Sequence, residues 1–159
     1  MSCTRVFIHG LESTSQGHKG VYFRTHYPDM IIDDFTGPLE SRMDKLTDIL
    51  SHKDSLILVG SSYGGLMAAM FAARFPERVR KMILLAPALI LPEFEPYQSQ
   101  HLNMPVTLYH GKSDDIVPPT PVRIIAEECF RNLTYHLVDD DHSLMGVFTG
   151  IPWDDLLHS

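Results

Sequence analysis

Cysteine is scarce: there are two in 159 residues, Cys3 and Cys129, far apart in the chain. A disulfide framework or a thiolate zinc site needs cysteines in characteristic groupings, so neither is expected and both thiols read as reduced. Basic residues are also few, 13 Lys and Arg against 20 Asp and Glu, for a net charge of −7. Nucleic-acid and anionic-membrane surfaces need clustered Lys and Arg to neutralise phosphates, so no nucleic-acid or membrane partner is expected. No apolar run approaches the ~18 residues of a membrane span. Met1-Ser2-Cys3-Thr4-Arg5 leads straight into a strand-like segment, without the basic, apolar and small-residue zones of a secretory leader. The expected compartment is the cytoplasm. Repeats and low-complexity tracts are missing. The nine histidines include no H-x-H or H-E-x-x-H spacing, which leaves a histidine metal centre without support.

What is present is an ordinary globular composition, 44% hydrophobic and 21% charged, in a chain long enough to bury a core without staples. Residues 1–159 read as a single domain. Its most informative stretch is the apolar run Leu56-Ile57-Leu58-Val59, followed at once by Gly60-Ser61-Ser62-Tyr63-Gly64 and then by an Ala- and Met-rich segment through Phe71. That is strand, tight turn, helix. A serine at the centre of G-x-S-x-G is held on a strained turn that small residues at minus two and plus two make sterically possible, and its hydroxyl is pushed out at the end of the strand. Gly/Ser turns also cradle phosphates at helix N-termini. Here no lysine follows the glycines and the spacing is not G-x-G-x-x-G, so no nucleotide cofactor is implied.

Along the rest of the chain, residues 5–9 read as a buried strand ended by His9-Gly10, and 30–35 as a second. Residues 55–60, 82–86, 106–111 and 134–138 supply four more. Helices are expected over 17–27, from Leu39 through Leu50, from Leu66 to before Pro76, from a Thr120 cap with Pro121 in the first turn through Phe130, and around 153–157. The segment 87–105 is expected to be irregular and too short for a cap domain. Strands alternating with helices throughout imply parallel pairing, hence a doubly wound, mostly parallel six-stranded sheet between two helical layers.

Ligands of such sheets bind outside the carboxyl ends of the strands. Three segments there carry chemistry: Ser62; Gly111-Lys112-Ser113-Asp114-Asp115-Ile116-Val117-Pro118; and Asp139-Asp140-Asp141-His142. His9-Gly10, Gly60-x-Ser62-x-Gly64, His110-Gly111-x-x-Asp114-x-x-Val117-Pro118 and a late His142 together resemble the α/β-hydrolase superfamily, over nearly the whole chain. The opening His9-Gly10-Leu11-Glu12-Ser13 with His18-Lys19 is similar to the small bacterial esterases of the YqiA-like group. The resemblance implies Ser62 as nucleophile, His142 as general base and acid, Asp114 as the carboxylate that orients the histidine, and the backbone N–H groups of Leu11 and Tyr63 as the oxyanion hole. It implies no cofactor and no metal.

Each role has a rival. Ser61 lacks the flanking glycines. Asp115 stands one residue too close to Val117-Pro118. His9 and His110 read as strand-end residues that hold local backbone or line the site, and Asp139-Asp140-Asp141 as a solvated turn. The expected function is a serine hydrolase cleaving carboxylic esters or thioesters of small to medium acyl groups; the alternative is a hydrolase-fold binding or scaffold protein. Leu89, Ile90, Leu91, Phe94 and Tyr97 are the candidates to wall one side of an open cleft. Nothing in the sequence bears on the oligomeric state.

Overall fold

The computed structural model describes residues 3–158, so the part of the leader argument that concerns Met1 and Ser2 lies outside it. Six strands, β1 (Thr4–Ile8), β2 (Ile31–Ile32), β3 (Leu56–Ser61), β4 (Val79–Leu85), β5 (Val106–Gly111) and β6 (Leu133–Val138), form one sheet in the order β2-β1-β3-β4-β5-β6. Every pairing is parallel. The helices are α1 (His18–His26), α2 (Leu39–Ile49), α3 (Tyr63–Arg74), α4 (Pro119–Cys129) and α5 (Trp153–Leu156).

Side chains of a strand alternate between faces, and the central strands are apolar on both because both are covered. Val6, Ile8, Leu56, Leu58, Met82, Leu84, Val106 and Leu108 pack under α2, α3 and α4. Phe7, Ile57, Val59, Ile83, Leu85 and Tyr109 pack on the opposite face with Phe23 of α1, Phe148 and Trp153. Burying an aliphatic or aromatic side chain stabilises by ~1.5–3 kcal/mol, so the two clusters are the main source of stability. The strand order reverses between β1 and β3, where Ile8 lies beside Gly60. A crevice opens at such a switch point above the strand ends, and Ser62 follows directly after β3.

Several boundaries differ from the sequence reading. The second strand pairs over two residues, not six, because the backbone is diverted after Ile32: Asp34 Oδ1 accepts from Ser15 N (2.7 Å) and Phe35 N donates to His9 Nε2 (2.9 Å). Thr120 does not cap α4. The helix starts at Pro119 after Pro118 and has no side-chain cap, since prolines already fit a first turn whose N–H groups lack intrahelical partners. β4 begins at Val79, earlier than the apolar run, and its pairing with β3 shifts register between Leu56 and Ile57. Residues 87–105 include a short 3₁₀ turn, Pro92–Tyr97, that buries Phe94.

Candidate active site

Ser62 is left-handed, φ 55°, ψ −114°, a conformation that costs a non-glycine residue of order 1–3 kcal/mol and persists only where its surroundings enforce it. They do so through both peptide groups. Ser62 N donates to Leu85 O (2.8 Å), and Ser62 O accepts from Gly65 N (2.9 Å), Leu66 N (3.2 Å) and Ala88 N (3.0 Å). The flanking glycines are steric necessities: a Cβ on Gly64 would strike the carbonyl oxygens of Ile8 and His9, and one on Gly60 would strike the Gly64 backbone.

The structure brings Ser62, His142 and Asp114 into one hydrogen-bonded line. Ser62 Oγ lies 3.0 Å from His142 Nε2, and His142 Nδ1 lies 2.7 Å from Asp114 Oδ2. With Asp114 as carboxylate, Nδ1–H must donate to it, which leaves the Nε2 lone pair to accept the Ser62 hydroxyl proton. The other oxygen of Asp114 accepts from Ile116 N (2.9 Å) and Val117 N (2.8 Å). Asp114 is buried whereas Asp115 is exposed, which separates the two candidates. Ser61 ends β3 and also borders the cleft.

His110 is the residue whose part the sequence left open. It is fully buried; its Nε2 lies 2.8 Å from Val117 O and 3.2 Å from Asp114 Oδ2. A carbonyl can only accept, so Nε2 carries the proton and reaches both oxygens, bracing the carboxylate and its loop. Burial pushes the His110 imidazole below its ordinary pKa, with Val117 and Asp114 acting in the opposite direction. Its Nδ1 is buried without a partner, as fits an imidazole kept neutral. His9 likewise holds backbone: Nε2 accepts from Phe35 N, so Nδ1 donates to Gly10 O at 2.7 Å. A histidine ending a strand, with an acid four residues on, is the only sequence signal for the His110 contact.

The aspartate run is more than a solvated turn. Asp140 accepts from the N–H groups of Asp141 (2.8 Å), Gly146 (2.8 Å) and Val147 (3.1 Å), and Asp141 accepts from Ser143 N (3.0 Å) and Oγ (2.7 Å). The bonds from Ser143 hold the Asp141 carboxyl below its usual pKa. Lys19 Nζ, reaching over from α1, donates to Ser143 O at 2.7 Å. Burial pushes its ammonium below the ordinary lysine pKa, against the pull of Asp140 and Asp141. His142 is thus carried on a loop fastened at both flanks.

The backbone N–H groups of Leu11 and Tyr63 find no acceptor within the chain among the described residues, and both residues border the cleft that holds Ser62 and His142. The cleft measures about 580 Å³. Ile90, Leu91, Ile116 and Val117 give it apolar lining, and His18, Lys19 and Glu12 border it as well. Leu89 and Phe94, expected in the wall, are fully buried in the core, and Tyr97 packs beside them. Ile116, from the loop of the acid, takes their place. Among the described residues no three His, Cys, Asp or Glu side chains are placed to hold a metal ion, and no helix is long and apolar enough to cross a membrane.

Comparison with known proteins gives this arrangement a family. The model of the alpha/beta hydrolase fold matches residues 18–98, half of the chain. The chain belongs to the α/β-hydrolase fold family. Among individual relatives, a cis-3-alkyl-4-alkyloxetan-2-one decarboxylase of Shewanella oneidensis is 36% identical over 73 residues, 43% of this chain but 22% of that protein. The chain thus spans about a fifth of that curated relative. Alpha/beta hydrolase domain-containing protein 10 from mouse superposes with a TM-score of 0.75 at 21% identity, covering 99% of this chain and 92% of its own. A monoacylglycerol lipase from Paleococcus ferrophilus gives 0.71 at 17% identity, covering 96% and 93%. These structural likenesses extend the α/β-hydrolase fold beyond residue 98, over the segments that carry Asp114 and His142.

Proposed function

We propose that this α/β-hydrolase is a serine hydrolase that cleaves carboxylic esters or thioesters of small to medium acyl groups, acting as a single cytoplasmic domain without a cap. The observation that carries the reading is the continuous hydrogen-bond line from Ser62 Oγ through His142 to buried Asp114. A serine hydroxyl is a weak nucleophile at neutral pH and needs a base within reach. In the proposed reaction His142 Nε2 takes the Ser62 proton as Oγ attacks the carbonyl carbon, and Asp114 stabilises the resulting imidazolium. The carbonyl oxygen, now negative, receives hydrogen bonds from Leu11 N and Tyr63 N, each of which has no other acceptor to release. Collapse expels the alcohol or thiol, which leaves with the proton from His142. Water, deprotonated by the same imidazole, then frees the acid from Ser62.

The size of the cleft supports a small organic substrate, since such pockets usually measure ~300–1,000 Å³. The oxetan-2-one named for the Shewanella relative is a cyclic ester, consistent with an ester carbonyl as the reacting group. The test is intact-mass analysis after treatment with a fluorophosphonate, run beside Ser62→Ala. One covalent adduct on the wild type and none on the variant is expected; labelling of Ser61, or of the variant, would overturn the assignment.

A further inference from the structure

Arg42 is the only buried lysine or arginine among the described residues, 5% exposed on α2. A buried guanidinium is normally paired with a carboxylate, because an unpaired charge away from water is costly. Arg42 forms no ion pair among the described residues. Its Nε donates to Gly37 O at 2.8 Å, and its Nη1 is buried without a partner. Cζ lies over the ring of Tyr63, 5.3 Å from its centre. The face of an aromatic ring attracts a cation but carries no net charge to cancel it.

The surroundings add to the positive charge. Gly37 stands two residues ahead of α2, and Tyr63 is the first residue of α3, so the guanidinium sits beside the positive ends of two helix dipoles. Its charge is felt at Tyr63: burial and Glu93 push the phenol above its ordinary pKa, and Arg42 pulls it back. Glu93 is exposed, where solvent and salt screen it. A buried polar group left unsatisfied in a native fold calls for a reason. The reaction supplies one, since the oxyanion of the tetrahedral intermediate would form on Leu11 N and Tyr63 N.

We infer that Arg42 is a positioning residue of the oxyanion hole that acts through Tyr63: its guanidinium, held against that side chain without a counter-ion, favours the negative charge that develops at the Tyr63 N–H. The inference rests on the serine-hydrolase reading of the cleft. A charge fixed in a poorly solvated place acts over several ångströms, and it needs no reorganisation as the oxyanion forms. The missing carboxylate is then part of the device, because a permanent counter-ion would cancel the field.

Steady-state kinetics on p-nitrophenyl acetate, urea unfolding and fluorophosphonate labelling of three variants test it. Arg42→Met keeps an apolar stem without the charge, Arg42→Gln keeps a donor for Gly37 O, and Arg42→Lys keeps the charge. The Met and Gln variants should lose roughly tenfold in kcat, less than the ~10²–10³ of a lost direct donor, and should be phosphonylated more slowly at Ser62. Arg42 does not border the cleft, so kcat and kcat/KM should fall alike, the mark of an interaction made only in the transition state. Arg42→Lys should recover most of the turnover. The urea midpoints of the Met and Gln variants should stay at or above that of the wild type, because an unpaired buried charge is gone and exposed Gly37 can turn its carbonyl to water. An arginine that merely packs α2 on α3 predicts the reverse: a lower midpoint with kcat kept. That result, or a turnover that Arg42→Gln restores and Arg42→Lys does not, would overturn the inference. A wild type that neither takes a fluorophosphonate nor turns over esters would sink the hydrolase reading, and this inference with it.

Discussion

At the scale of single residues, the site rests on a division of labour between neutral and charged partners. Ser62→Ala should leave the fold intact, because the side chain contributes little to the core and the turn is held by backbone bonds; ester turnover should fall to the uncatalysed background. His142→Ala should cost ~10²–10⁴ in kcat, the usual worth of a general base. Steady-state rates on p-nitrophenyl acetate measure both, and a His142→Ala enzyme retaining most of its turnover would place the base elsewhere. His110 gives a prediction about stability. Its folded-state pKa is depressed by burial, so as pH falls through the ordinary value of ~6.5 the unfolded chain binds a proton that the folded chain refuses. Its contribution should therefore be fully favourable above that value and be lost as pH drops below it. Urea unfolding at pH 5 to 8 should show stability rising with pH in that window, with a flatter slope in His110→Asn.

At the scale of elements, the sheet and its sequence of strands were legible because its central strands carry buried apolar runs, Val6–Ile8 in β1, Leu56–Val59 in β3 and Met82–Leu85 in β4, a pattern that parallel strands covered on both faces must show. The turn after β3 was legible for a different reason: only glycine satisfies the approach of α3 to β1, and Gly60 and Gly64 mark the place in the sequence. Gly64→Ala should therefore cost at least ~2–3 kcal/mol as an overpacked site whose colliding atoms are backbone oxygens, read as a lower denaturation midpoint or as insoluble protein. An alanine variant of wild-type stability would mean that the turn can relax. Less legible were the features made by long-range partners. β2 shortens because His9 takes the Phe35 N–H and Ser15 N holds the Asp34 side chain, and no local pattern records that. The loop carrying His142 looks like a run of three solvated aspartates until Gly146, Val147 and Lys19 are seen to bind it. Lys19→Met removes the bond to Ser143 O while keeping most of the apolar stem. Although Lys19 also borders the cleft, the change should lower kcat more than it raises KM, since it frees the histidine loop; a rise in KM alone would assign Lys19 to substrate binding.

At the scale of the whole molecule, selectivity depends on how much surface is left to cover the cleft. Residues 87–105 contribute Ala88, Ile90 and Leu91 to its wall and send Leu89 and Phe94 into the core, and Leu11 and Ile116 line it as well while remaining 51% and 67% exposed. An apolar chain entering from Ser62 thus meets a wall of limited length before it reaches water. Each methylene removed from water stabilises by ~0.8 kcal/mol, and one that projects past Leu11 and Ile116 gains almost nothing. For a p-nitrophenyl ester series, kcat/KM should climb over the first few carbons of the acyl group and then level off. Ile116→Ala, which shortens the wall without touching the hydrogen-bonded line, should bring the plateau to shorter chains and leave acetate turnover close to wild type. A preference that kept rising by about tenfold for each added pair of carbons, as ~0.8 kcal/mol per methylene implies for complete burial, would require an enclosed tunnel and would refute the open cleft.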